Sequence, residues 1–176
     1  MTDSDRPVFL VGFMGAGKSA VGRALAARLS RKFVDLDDEV ERAEGRAIAR
    51  LFAECGEERF REAEERALAA LGDARGLVVA TGGGAFTRAA ARRRMRSLGT
   101  TVWLDVPLEV ACTRVGTGRD RPAWISSDPA ALRALYDRRR AAYALAHVRI
   151  DAARSSADDL ARVLAVRVAP GNSCGH

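Results

Sequence analysis

The chain is poor in several residue types, and each shortage closes a class of explanation. It has three cysteines, Cys55, Cys112 and Cys174, widely spaced and without a C-x-x-C pair. A disulfide-stapled scaffold and a cysteine-rich zinc site are thereby excluded, and the thiols read as reduced. Histidine is limited to His147 and His176, too few for a protein-ligated transition metal. Aromatics make up 6%, a thin supply for the stacking platforms that hold single-stranded nucleic acid. No apolar run approaches the ~20 residues that span a bilayer. Residues 1–7 are acidic and polar, unlike a signal peptide. The expectation is a cytoplasmic protein, a monomer, with neither membrane nor nucleic acid as a partner.

What is present fits one globular domain over 1–176, with 48% hydrophobic residues to build its core. The net charge is +6, from 29 basic and 23 acidic residues. Basic clusters occur only at 92–96 and 138–140, so the balance suits anionic small molecules better than a nucleic-acid stripe. Lysine is scarce: only Lys18 and Lys32 occur, and every other basic residue is arginine. Lys18 is the penultimate residue of the run Gly12-Phe13-Met14-Gly15-Ala16-Gly17-Lys18-Ser19, which matches the phosphate-binding loop pattern G-x-x-x-x-G-K-[ST]. It follows the apolar stretch 8–11 and precedes a helical pattern, the setting such a loop requires. Glycines let backbone N–H groups wrap a phosphate, and the helix N-terminus adds partial positive charge. A compact ammonium at Lys18 reaches the β- and γ-phosphates, and the Ser19 hydroxyl is placed for Mg²⁺.

Along the chain, strands are expected at 8–11, 32–35, 77–80, 100–104 and 148–150. Helices are expected at 16–29, 38–44, 47–52, 57–71, 87–98, 107–114, 128–144 and 157–168, with an interruption at Gly56. Residues 116–128 read as a loop or flap, and 169–176 as a frayed tail. Alternation of this kind implies βαβ crossovers: an α/β, three-layer fold with a five-stranded parallel sheet flanked by helices. Ligands then bind beyond the carboxyl ends of the strands.

Two further patterns follow strands and point to that edge, and a third lies on a helix. Asp35 and Asp37, if extended, lie on one side, one for a magnesium shell and one to orient or deprotonate a hydroxyl. Arg61 and Glu64 share a helix face; the spacing fits either a surface ion pair or an arginine held for a substrate carboxylate. Gly82, Gly83 and Gly84 allow close approach of backbone to a ligand.

The set G-F-M-G-A-G-K-S, D-L-D, G-E-x-x-F-R-x-x-E, G-G-G and a later R-P resembles shikimate kinase, in order and spacing, from about residue 8 to 150. The resemblance implies a nucleoside-monophosphate-kinase-like P-loop fold with a substrate-binding segment near 36–64 and a flap near 116–128. It implies ATP- and Mg²⁺-dependent phosphorylation of the 3-hydroxyl of shikimate. Gly15, Ala16, Gly17, Lys18, Ser19 and Ala20 match the ATP-phosphate loop, and Ser19 and Asp35 the metal positions. Asp37 matches the aspartate on the shikimate hydroxyls and the proposed base. Arg61 and Arg139 match arginines on the shikimate carboxylate, and Glu64 the acid positioning Arg61. Phe52 and Phe60 match ring-packing residues. Gly83, with Gly82 and Gly84, matches the backbone donor to substrate. Arg121 matches the flap arginine closing over the phosphates, Arg114 an adenine-side arginine, and Arg154 a contact in the adenine loop. Two positions depart from the family pattern: Ala123-Trp124 after Arg121-Pro122, and Ala141 in place of a proline. They leave a related acceptor open, such as another cyclic acid or gluconate. A nucleotide-binding module without catalysis is the remaining alternative, disfavoured by the intact Lys18, Ser19, Asp35 and Asp37.

Overall fold

The computed structural model describes residues 5–72, 74–115 and 128–168. Its strands are β1 (Val8–Val11), β2 (Lys32–Asp35), β3 (Leu77–Ala80), β4 (Thr100–Asp105) and β5 (Val148–Asp151). Its helices are α1 (Lys18–Leu29), α2 (Leu36–Glu44), α3 (Ile48–Ala70), α4 (Ala89–Leu98), α5 (Leu108–Val115), α6 (Pro129–Tyr143) and α7 (Ala157–Arg167). The strands form one parallel sheet in the order β2-β3-β1-β4-β5. Val8 of β1 pairs with Val78 on one side and Thr100 on the other.

Every residue of β1 and β3 is buried, as expected of unbroken apolar strands covered on both faces. Helix α1 packs on α7, and α2 on α3. The described residues share one continuous hydrophobic core. From β1 the chain crosses to one side of the sheet, and from β3 to the other. That reversal opens a crevice at the carboxyl ends of β1 and β3.

Local signals explain most element ends. Asp128 caps α6 by accepting from the Ala130 and Ala131 N–H groups at 3.1 and 3.3 Å, with Pro129 in the first turn. Ser156 caps α7 from the Asp159 N–H at 3.1 Å. Helix α1 differs: it begins at Lys18 rather than at residue 16. Gly17 takes a left-handed φ of 85° at the cap and supplies no side chain. Helix α3 continues past residue 52, and the expected break is confined to Gly56 (φ 78°, ψ 176°). Helix α4 starts at Ala89, because a 3-10 turn (Ala85–Thr87) comes first, closed by the Thr87 N–H and hydroxyl on the Gly84 carbonyl at 3.1 and 2.6 Å. Strands β4 and β5 each run one residue further than expected, paired through Asp105 and Asp151. The flap, with Arg121, Ala123 and Trp124, and the tail 169–176 lie outside the described residues. Among the described residues no helix is long and apolar enough to cross a membrane.

The turn before β5 is fastened by His147. Its Nδ1 accepts from the Thr101 N–H at 3.2 Å, and its own N–H donates to Thr101 Oγ1 at 3.0 Å. An accepting Nδ1 requires the neutral ring. Burial, with Arg96 and Arg6 nearby, holds the His147 pKa below its ordinary value. The unfolded chain therefore binds this proton first as pH falls, and folding stability drops below about pH 6.5. In His147→Asn the part of the acid sensitivity that sets in below about pH 6.5 disappears in urea titrations; an unchanged pH profile would reject the assignment.

Candidate active site

A cleft of about 530 Å³ lies over the carboxyl ends of β1, β2 and β3, within the usual range for small-molecule sites. One wall is the loop after β1. Gly15 and Gly17 adopt positive φ of 70° and 85°; a Cβ at Gly15 would overlap the Ala111 carbonyl of α5. The loop is thus pressed onto α5 while the first turn of α1 faces the cleft. Lys18 opens that turn, and its Nζ donates to the Gly12 and Phe13 carbonyls at 3.0 and 2.9 Å. Burial lowers its pKa to about 8, opposed by Asp37 and Asp35, with Arg139 lowering it further. Phosphate oxygens beside this ammonium would raise it again.

Ser19 Oγ donates to Asp35 Oδ2 at 2.6 Å. Asp35 Oδ1 accepts from the Asp37 N–H at 3.2 Å and caps α2. Among the described residues no three His, Cys, Asp or Glu side chains form a metal cluster. One serine oxygen backed by one carboxylate is instead the sparse, hard-oxygen set that suits Mg²⁺ carried in with phosphates.

The opposite wall corrects one expectation. Asp35 and Asp37 face the same cleft, but not through strand alternation. Asp35 ends β2, and Asp37 stands in the first turn of α2. Its Oδ1 is buried and accepts no hydrogen bond. Burial, then Glu64 and Asp35, raises its pKa to about 6, against Lys18 and Arg61. Glu64 Oε1 is likewise buried and unbonded. A Cβ at Gly82 would stand 2.5 Å from that oxygen and 2.8 Å from Asp37 Oδ1. Two acceptor oxygens thus flank one glycine, and any other residue there would displace them.

Arg61 and Glu64 form a buried ion pair, not a surface one. They are 6% and 3% exposed, with Nη1 to Oε2 at 2.5 Å. Glu57 Oε1 holds the Nε and Nη2 of Arg61 at 3.3 and 3.2 Å. A Cβ on Gly84 would lie 2.5 Å from both terminal nitrogens of Arg61. Burial raises the Glu64 pKa, and Arg61 opposes it. Arg139 lines the same cleft, its Nη1 3.2 Å from a Cβ built on Gly83. Its neighbours point elsewhere: Arg140 donates to Asp105 at 3.1 Å, and Arg138 is exposed outside the cleft. Helical geometry thereby resolves which of the three arginines faces the site.

The cleft also contains Ala20 and Phe60. Ala16 is buried beneath the loop, and Phe52 stands behind Phe60, ring centroids 5.8 Å apart. Arg114 and Arg154 are not on the cleft wall. Arg114 donates to the Ala152 and Ala153 carbonyls at 2.9 Å each, tying down the loop that carries an exposed Arg154. Arg121 falls outside the described residues. Thr81, Glu41 and Ile48 line the cleft without having been singled out in the sequence. For Thr81 the signal was its place between β3 and the glycines; its N–H and hydroxyl extend the sheet to the Leu10 carbonyl at 3.2 and 3.0 Å. Glu41 and Ile48 carried no distinguishing pattern.

Comparison with known proteins converges on one family. The shikimate kinase family model matches residues 14–168. A shikimate kinase of Geobacter sulfurreducens is 44% identical over 93% of this chain and 91% of its own length. The solved shikimate kinase from Acinetobacter baumannii in complex with shikimate superposes with a TM-score of 0.87 at 38% identity, covering 94% of this chain and 93% of that one. The shikimate kinase from Aquifex aeolicus gives a TM-score of 0.83 at 32% identity, over 97% and 99%. With a phosphate loop, a buried arginine–glutamate pair and a triple glycine around one cleft, this chain belongs to the shikimate kinase family.

Proposed function

We propose that the chain transfers the γ-phosphoryl group of ATP to the 3-hydroxyl of shikimate, forming shikimate 3-phosphate and ADP. The observation that carries this reading is the convergence, in one cleft with Lys18, of two unbonded carboxylate oxygens and two guanidiniums, Arg61 and Arg139. Such a set matches an acceptor bearing hydroxyl groups at one end and a carboxylate at the other.

In this reading the acceptor carboxylate lies between Arg61 and Arg139, and the Asp37 and Glu64 oxygens accept from its hydroxyls. Asp37 takes the proton of the attacking hydroxyl as the oxygen bonds to the γ-phosphorus and the bond to the β-bridging oxygen breaks. The transition state is loose, so positioning and charge do most of the work. Lys18 neutralises the β- and γ-oxygens, and backbone N–H groups of the loop hold the rest. Ser19, with Asp35 behind it, would hold Mg²⁺, which would supply neutralisation of phosphate charge. Arg121 is assigned, by its family position, to close over the phosphates.

The test is ADP release by the purified protein with ATP and Mg²⁺, with and without shikimate. Shikimate-dependent release, with the phosphorylated product identified by mass, is expected. Release that does not depend on shikimate would overturn the reading.

A further inference from the structure

Behind the triple glycine stands a side chain with no assigned part in the chemistry. Tyr143 closes α6 one turn after Arg139 and is 1% exposed. Its ring tilts against Trp103 with centroids 6.1 Å apart. Its hydroxyl donates to the Gly83 carbonyl. The Arg139 guanidinium lies beside the same glycine, its Nη1 3.2 Å from a Cβ built on Gly83. Burial of a phenol without a partner is costly; here the partner is the carbonyl of a glycine on the cleft wall.

Peptide geometry gives this contact a direction. The chain has no cis peptide among the described residues, and across a trans peptide the C=O and the following N–H are antiparallel. A Gly83 carbonyl turned toward Tyr143 therefore turns the Gly84 N–H away from it. Tyr143 is not on the cleft wall, whereas Gly83 and Gly84 are. The N–H is thus aimed into the cleft, beside Arg61, which stands 2.5 Å from a Cβ built on Gly84. Glycine backbone has many alternative φ/ψ states, so an unrestrained Gly-Gly peptide would sample other orientations.

We infer that Tyr143 is a positioning residue for the acceptor carboxylate: by holding the Gly83 carbonyl, it keeps the Gly84 N–H aimed at the anion that Arg61 and Arg139 flank. The inference rests on the proposed acceptor reading and deepens it. Specificity for a carboxylate then comes from a three-donor cradle of Arg61, Arg139 and a fixed peptide. Tyr143 contributes to binding without touching substrate.

Tyr143→Phe removes only the hydroxyl and keeps the ring against Trp103. Calorimetry is expected to show shikimate binding weakened about five- to tenfold, the scale of one lost hydrogen bond. The KM for ATP and the kcat should stay within about twofold on the same grounds. Binding of the analogue with the carboxylate reduced to a hydroxymethyl group should be as weak in the variant as in the wild type. Shikimate affinity unchanged in the variant, or ATP and the reduced analogue weakened equally, would overturn the inference. A wild-type protein that fails to bind shikimate would instead overturn the acceptor reading on which it rests. A measurement on the wild type alone keeps the question open to refutation if the variant does not fold. The Gly84 amide, in glycine-labelled protein, should shift downfield on shikimate addition and not on addition of the reduced analogue. An unmoved resonance rejects the cradle.

Discussion

Asp37→Asn will abolish phosphoryl transfer and make the folded protein more resistant to heat. Both effects come from one cause. Asp37 Oδ1 is buried without a hydrogen bond, and burial with two neighbouring carboxylates raises its pKa to about 6. Removing a positioned base costs about 10²–10⁴ in rate, so kcat should fall at least ~100-fold. ATP binding should remain near normal, because Lys18 and the loop are untouched. On stability the sign follows from linkage. The folded-state pKa lies above the ordinary 3.8, so this group favours folding only below about pH 4, and that contribution is lost as pH rises through about 6. At pH 8 the carboxylate opposes folding. An amide removes the charge, and the gain is about 2 kcal/mol after allowance for partial exposure, or about 5 °C in melting temperature. The difference between variant and wild type should shrink toward pH 4. A variant with ordinary kcat would remove Asp37 from the base role. One that melts lower at pH 8 would remove the electrostatic account of its pKa.

Arg61→Met will have the largest effect on stability. Glu64 is 3% exposed and its bonded oxygen depends on Arg61. Truncating one partner of a buried pair leaves an uncompensated charge, a loss of about 3–5 kcal/mol, which corresponds to about 10 °C. The penalty should be smaller at pH 5 than at pH 8, since an abandoned Glu64 takes up a proton and the folded-state pKa, already raised by burial, rises further. The double variant Arg61→Met with Glu64→Leu should regain most of the lost stability, because well-packed apolar residues can replace a buried ion pair at little cost. It should not regain activity: an acceptor carboxylate would still lack half of its guanidiniums, and its KM should stay raised about 100-fold, the scale of a charged hydrogen-bonded contact. Thermal melts of the two variants together with acceptor titrations check both halves. If the single variant melts like the wild type, the pair is not desolvated as described.

Much of this site was legible as types and spacings. The phosphate loop is local: eight consecutive residues between a strand and a helix carry their own conformation, so reading Lys18 and Ser19 needed no tertiary information. The sheet was equally readable, because apolar strands alternating with amphipathic helices leave few parallel arrangements. Asp35 and Asp37 were rightly paired for a wrong reason. A strand that ends at Asp35, with that residue serving as cap, starts the helix two residues earlier than its charged face suggests. For Arg61 and Glu64, an i, i+3 spacing is the same on a wet face and a dry one. Only the packing of α3 against the triple glycine makes it dry. Likewise spacing alone does not separate three consecutive arginines at 138–140; the resemblance singled out Arg139, and the docking of α6 puts it on the cleft wall, because successive residues on a helix point about 100° apart.

The sequence by itself determined the parallel α/β sheet, the phosphate-loop pattern and the inventory of charged and glycine residues that meet in the cleft, since these depend on periodicity, glycine placement and side-chain chemistry that travel with the chain. The tertiary structure decided what those groups are worth. Burial raises Asp37 and lowers Lys18 toward the working pH range. It converts Arg61–Glu64 from a weak surface contact into a desolvated pair, and it sets Tyr143 behind Gly83, sixty residues away in the chain. Each of these depends on how much water and which distant charges surround a group, and no local pattern of residues specifies that.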